Sequence, residues 1–405
     1  MMTPAGSAAS TGSARECFGV ALRLGLTSFG GPIAHIGYFE QCYVARRQWL
    51  SRAEFTGLLA LCQMVPGPAS SQLGYLIGWR RAGWRGALAA WAGFTLPSAC
   101  LMVAIALVLG HIAGPWALRD EVLHGLKLVA VAVVAQAVVS MARSLCPDWP
   151  RAFIALATLA VLLVLAGPIV PLAAIAGGGL VGAMVCRPGT TGVVVSAPVS
   201  RRLAVGAMLA FGALMVAVLL ATGQSGHGIV AFSAIFYRSG ALVFGGGHVV
   251  LPLLRDALVP GQWIDDPSFL AGYGAVQAMP GPLFTLSAYL GAACAPAGSG
   301  WGLVALWSLV ALVAMFLPGL LIATCALPLW QWLGQHRRAQ AALAGINAAV
   351  VGVLAAAWCN PVARTALLRP IDGAIALVGV ALLVRWHVPP VAVVGLTVLA
   401  SVIAA

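Results

Sequence analysis

The chain has 405 residues, 61% of them hydrophobic and only 8% charged, with a mean hydropathy of +0.99 and a net charge of +12. No soluble domain of this length could hide so much apolar surface in one core, so lipid is the solvent, and about a dozen crossings of roughly 20 residues fit. The basic residues fall in small groups between apolar runs, which is the pattern of membrane loops and not of a nucleic-acid surface.

In chain order, Met1 to Glu16 is rich in Ala, Ser, Gly and Thr with a single Arg, too little charge for a cleavable leader, and reads as a short disordered tail. Apolar runs follow at 18–39, 54–79, 86–113, 122–142, 152–166 and 168–185. After an extra run at 203–222 come 229–254, 268–295, 301–333, 339–359, 371–384 and 388–404. The runs 152–166 and 371–384 are short for full crossings. Nine cysteines carry no CxxC pair or neighbouring His, so neither a disulfide framework nor a metal site is expected.

The chain is one unit written twice. Arg23, Gly25, Phe29, Gly30 and Gly31 recur as Arg238, Gly240, Phe244, Gly245 and Gly246. Trp49, Phe55, Gln63, Pro66, Gly67, Pro68 and Tyr75 recur as Trp263, Phe269, Gln277, Pro280, Gly281, Pro282 and Tyr289. Leu96-Pro97 is echoed by Leu317-Pro318, and Gly125 by Gly345. The expected organisation is a first repeat over 17–186, a linker with an unpaired crossing over 187–228, and a second repeat over 229–405. The fold class is an all-α polytopic membrane protein of 12–13 segments, some broken or re-entrant. An odd number of crossings before the second repeat would insert it upside down. Arg80, Arg81 and Arg85 against the uncharged stretch at 295–300 agree with inversion. Arg46, Arg47 and Arg52, with Asp265 and Asp266, disagree unless the Pro-Gly-Pro segments re-enter.

Two constellations carry chemistry. In R-x-G-x-x-x-F-G-G, Arg23 and Arg238 lie inside apolar runs, where a cation costs about 2.5 kcal/mol or more unless it meets a cavity, a partner or the interface. Ser28, Gly30 and Gly31, with Gly245 and Gly246, mark a break whose free N–H groups can face an anion. The plain alternative is that the arginines snorkel and the glycines serve packing. In Q-x-x-P-G-P, from Gln63 through Pro66, Gly67 and Pro68 and from Gln277 through Pro280, Gly281 and Pro282, two prolines interrupt a helix at membrane depth. The restarted helix offers N–H groups and the hydroxyls of Ser70, Ser71 and Thr285. A kink at a bundle corner is the alternative. The ten acidic residues fall in loops or near segment ends, whereas Arg23, Arg238 and Lys127 lie within runs, so the ligand is an anion. Glu40, His248 and Asn347 are auxiliary candidates, and His35 and His111 read as interfacial polar groups.

At these residues the chain resembles the chromate ion transporter family in its long two-domain form. The likeness rests on R-x-G-x-x-x-F-G-G-P-I from Arg23 to Ile33, Q-W-L-S at Gln48, Q-W-I-D at Gln262, and Q-x-x-P-G-P in both halves. It also rests on G-I-N-A-A-V-V-G from Gly345 with Asn360-Pro361. Gly247 and His248 stand where Pro32 and Ile33 stand in the first half, so the halves need not contribute equally. The resemblance implies export of chromate across the bacterial inner membrane by a multi-pass transporter, conferring resistance, with sulfate as the close mimic. Alternating access with the two halves rocking about the anion is the expected mechanism. Protons are the candidate coupling ion, which no motif fixes, and no cofactor is expected. A sulfate transporter or an anion channel is the alternative. An enzyme is disfavoured by the lack of any HExxH, GxSxG or P-loop pattern.

Overall fold

The computed structural model describes residues 12–111, 116–165, 170–187, 199–221, 228–243, 250–296, 298–386 and 388–404, with helices and no strand among them. Helix α1, Ala14–Thr27, starts inside the predicted tail because the Ser13 hydroxyl accepts the Glu16 N–H at 3.1 Å. Residues 1–11 of that tail lie outside the described residues.

The run 18–39, read as one crossing, is a hairpin of half-length helices. After α1 the chain turns through Ser28–Gly30 into α2, Gly31–Phe39, which continues as a π-helical stretch, Glu40–Arg46. Gly30 and Gly31 have φ of 99° and 75°, a region that only glycine enters cheaply. The hairpin's two ends lie together, with the Glu16 carboxylate 3.8 Å from Arg47. The run 54–79 is a second hairpin. Helix α3, Arg52–Met64, meets the Pro-Gly-Pro break and returns as the first limb of α4, Ala69–His111. Glu54 in the first turn of α3 pairs with Arg80 at 2.8 Å, and Glu16 reaches Arg81 at 3.1 Å, so both hairpins open on one face. Non-helical backbone at Ala82 and Gly83 then redirects α4, whose long limb crosses the membrane.

Repeat two follows the same plan. Helix α9, Ile229–Leu242, and α10, Val250–Leu258, precede α11, Asp266–Ala278; a 3-10 turn at Leu283–Thr285 then leads into α12, Leu286–Ala293. Phe232 packs on Trp263 at 5.1 Å, and the Tyr289 hydroxyl donates to the Ser268 carbonyl at 2.9 Å, which closes these hairpins in turn. Gln48 and Gln262, the positive-φ residues other than glycine among those described (52° and 56°), shape the matching Q-W turns.

The long helices are α5, Trp116–Leu145, and α14, Arg337–Ala357, preceded by the long limb of α4 and by α13, Trp301–Gln335. Two pairs of short helices complete the repeats. They are α6, Trp149–Val164, with α7, Val170–Val185, and, after a π-helical stretch and the turn α15, Arg364–Ala366, α16, Pro370–Val384, with α17, Pro390–Ile403. At about 1.5 Å per residue each spans about 24 Å or less, below a core of about 30 Å. These pairs are exchanged: α5 packs on α16 and α17, and α14 packs on α6 and α7. Gly125 brings α5 onto Val398, and its counterpart Gly345 brings α14 onto Gly182.

The unpaired α8, Arg201–Ala221, returns the chain to the opposite face before repeat two. The far end of α4, at Ala106 and Leu109, therefore shares a cavity with the Gln262–Asp265 turn. The repeats are inverted. Because two predicted crossings are both hairpins, parity is unchanged, and Arg46, Arg47 and Arg52 join Arg80, Arg81 and Arg85 on one face while Asp265 and Asp266 take the other. The charge conflict in the sequence disappears.

Candidate functional site

The four hairpin tips cross. The Gly67 N–H donates to the Val243 carbonyl at 2.7 Å, and the Gly281 N–H donates to the Ser28 carbonyl at 3.0 Å. Ser28 and Val243 hold the same place in the two repeats, as do Gly67 and Gly281, so each Pro-Gly-Pro tip is tied to the C-cap of the half-helix that opens the other repeat. Proline on either side removes competing donors and leaves this N–H free to bond across. The φ values of Gly67 and Gly281 are 127° and 94°. A Cβ on Gly67 would lie 2.9 Å from the Gly319 Cα, and one on Gly281 would lie 2.9 Å from the Ser98 Oγ. Ser98 and Gly319 each follow the proline inside a long helix, so the exchange is reciprocal here too. The Gln72 amide donates to the Pro66 and Gly319 carbonyls at 2.8 and 2.9 Å. The Ser98 hydroxyl donates to Thr285, which donates to the Pro282 carbonyl.

Around the crossing lie polar groups that the protein does not satisfy. The hydroxyls of Ser28, Ser71 and Thr95 and the Gln277 amide nitrogen have no hydrogen-bond partner. Their residues are 0%, 2%, 1% and 8% exposed. Orphaned buried polar groups are expensive, about 1–3 kcal/mol each, and these lie around one crossing together with the unpaired Gln72 Oε1. The helix ends agree. The carbonyls at the C-terminal ends of α1 and α9 are occupied by the crossed glycine N–H groups, while the N-terminal ends of α2 and α4 face the tips with their positive dipole.

The remaining expected residues are placed as follows. Arg23 is exposed, on the flank of α1 away from Cys17, Val20, Ala21, Leu24 and Gly25, and Arg238 is half-buried. Gln63 is exposed, whereas its counterpart Gln277 is buried. Ser70 is buried and lies 3.4 Å from the His35 ring. Glu40 pairs with Arg52 at 2.9 Å on the charged face. Lys127 and Asn347 follow Gly125 and Gly345 by two residues and so share one slot of the repeat. Lys127 is half-buried, next to Leu126, whose backbone carbonyl would lie 2.5 Å from a Cβ on Gly274, one turn before Gln277. The Asn347 side-chain oxygen is buried without a partner. Gly245, Gly246 and His248 lie outside the described residues. Among described residues no cluster of His, Cys, Asp and Glu could hold a metal.

Sequence reasoning passed over Gln72, Thr95 and Ser98, although S-S-Q after the break and T-L-P-S inside an apolar helix are visible polar insertions. It also placed His35 at an interface. The ring is fully buried, because the run it belongs to folds back at Gly30 and leaves it one turn beyond the break. A cavity of ≈ 550 Å³ opens at the base of the second Pro-Gly-Pro hairpin, lined by Gln262, Asp265, Ser268 and Tyr289 among others. Tyr289 stands seven residues, about 10 Å, beyond Pro282.

The profile of the family described as "Chromate transporter" matches residues 15–183 and 230–403. The chain is 28% identical to a chromate transport protein of Cupriavidus metallidurans over 95% of this chain and 92% of that one. It is 27% identical to a chromate transport protein of Pseudomonas aeruginosa, covering 92% and 87%. A probable chromate transport protein of Synechococcus elongatus is 26% identical, covering 83% and 81%. No solved structure matches.

Proposed function

Because the chain belongs to the chromate transporter family, we propose that it is a secondary transporter exporting chromate across the bacterial inner membrane, and that this confers chromate resistance. The observation that carries the reading is the set of buried, unpartnered donors where the inverted hairpin tips cross. A tetrahedral dianion needs several convergent donors and positive field, and charge-assisted hydrogen bonds to it are the strong kind. Ser28, Ser71, Thr95 and Gln277 supply donors, the N-terminal ends of α2 and α4 supply dipoles, and the half-buried Arg238 and Lys127 supply charge, with Arg23 drawing the anion in from the exposed flank of α1.

The charge on the two faces supports outward movement. Arg46, Arg47, Arg52, Arg80, Arg81 and Arg85 on one face mark it as cytoplasmic by the positive-inside rule. That face gathers anions. The cavity on the other face is lined in part by Asp265, whose charge favours release. With the inside negative, each exported negative charge gains about 2.3 kcal/mol per 100 mV.

The test is labelled chromate flux in everted vesicles and in proteoliposomes at defined potential, with sulfate as competitor. Saturable, potential-driven movement is expected, and Arg23→Ala and Arg238→Ala should each abolish efflux with expression intact. Wild-type flux in both variants rejects the arginines' role. Non-saturating flux marks a channel, and sulfate carried in preference to chromate reassigns the substrate.

A further inference from the structure

His35 is the titratable side chain at the crossing, and nothing above gives it a task. Its Nε2 lies 3.2 Å from the Ser28 carbonyl, the same oxygen that receives the Gly281 N–H, and its Nδ1 lies 3.4 Å from the Ser70 Oγ in the first turn of α4. Phe94 closes its edge at 5.3 Å. One residue therefore links the glycine break of repeat one to the Pro-Gly-Pro tips of both repeats. The two bonds fit a neutral ring, with Nε2–H donating to the carbonyl and Nδ1 accepting from the Ser70 hydroxyl. Repeat two carries Val250 at the matching position, so the transporter has this device once.

No charged group competes for the ring among the described residues. On α1 the neighbours are Cys17 and Arg23, the latter on the exposed flank; on α2 and its π-helical continuation they are Tyr38, Glu40, Cys42 and Tyr43. Glu40 is engaged by Arg52, and Tyr43 stacks on Trp49. On α4, Tyr75 bonds Thr324, while Arg80 and Arg81 lie at the aqueous end, paired with Glu54 and Glu16. The second tip brings only the Gly281 backbone and the Thr285 hydroxyl. A dianion arriving here would bring an opposite charge beside the imidazole, and an opposite charge within about 4–6 Å favours the protonated form.

Resting on the oxyanion reading above, we propose that His35 takes up one proton as chromate settles at the crossing, so that a proton travels with each anion. The proton comes from bulk water and adds to Nδ1. Nδ1–H then donates to the Ser70 oxygen, and the Ser70 hydrogen, released from the ring, turns to the anion. One proton thus adds a positive charge and a free donor together.

Chromate affinity of the purified protein is measured across neutral pH for wild type and His35→Gln, which keeps an amide donor for the Ser28 carbonyl. Chromate's own acid–base equilibrium is common to both. Wild-type affinity should fall with rising pH by up to about tenfold per unit more steeply than the variant's, as linkage to one proton requires. Should His35→Gln not fold, calorimetric titration of wild type in two buffers of different ionisation enthalpy counts the protons directly, with about one per chromate expected beyond the free-anion correction. Equal slopes, or no excess proton, overturn the proton link and leave the oxyanion reading standing. Absence of any chromate binding by wild type overturns both.

Discussion

The two Pro-Gly-Pro hairpins make the same crossed backbone bond, yet they are held differently. In repeat two, α11 and α12 are buried almost continuously from Phe269 to Gly291, wedged among α4, α5 and α13. Gly274 lets the α5 backbone lie directly on α11. In repeat one, α3 leaves Thr56 and Gln63 exposed, and α14, the counterpart of α5, packs on α10 without extensive contact along α3. The two tips therefore share a backbone bond but not a packing environment.

The largest effect that bears on this contrast is expected at the tip glycines. At both positions a side chain must adopt a left-handed backbone, costing about 1–2 kcal/mol. Crowding adds about 1–3 kcal/mol. Gly67→Ala meets the Gly319 backbone, which cannot yield, whereas Gly281→Ala meets a Ser98 hydroxyl that can turn. Thermal unfolding in detergent should show the greater loss at Gly67, and a greater loss at Gly281 would reverse the contrast. Next, Gln277→Ala should weaken chromate binding about tenfold, or about 1.4 kcal/mol. Gln63→Ala should change it by less than about threefold; equal losses would mean the exposed amide also reaches the anion.

Smaller effects sharpen the picture. Ser28→Ala, Ser71→Ala and Thr95→Val remove hydroxyls that bond nothing, so melting temperature should hold or rise while affinity drops severalfold. A fall in stability without loss of affinity would show them serving the fold alone. Smallest is the closure of each hairpin at its aqueous end. Burial alone would raise the Glu54 carboxyl, but the Ser51 N–H and Arg80 outweigh it and hold it below its ordinary value. Its contribution is then complete above the unfolded carboxylate range and lost as pH falls through the lowered value. For a pair this exposed it is about 0–1 kcal/mol. Glu54→Gln should therefore separate from wild type in melting temperature at neutral pH and converge with it in acid. Tyr289→Phe in repeat two should show a pH-independent difference.

Much of this was legible before any coordinates. The paired motifs name both tips, proline and glycine chemistry requires the breaks, and the placement of charge gives the sign of the ligand. Re-entry of the Pro-Gly-Pro segments was legible as the way to reconcile the loop charges, but that of the first run was not, because a 22-residue apolar run from 18 to 39 satisfies a crossing as well as a hairpin. The pairing of Glu16 with Arg47 and, 65 residues away, with Arg81 decides between them. His35 was misplaced by the same ambiguity, since its depth depends on where the chain turns. Thr95 and Ser98 sit beside Pro97 in a long helix, and local pattern gives no hint that a tip from the other repeat arrives there.

The exchange of short helices also constrains how this protein can move. With α5 clasped by α16 and α17 and α14 clasped by α6 and α7, neither repeat is a body by itself. A rocking of one whole repeat against the other would tear both clasps at once. Any large motion must instead carry α5 with α16 and α17, and α14 with α6 and α7, as units that mix the two repeats.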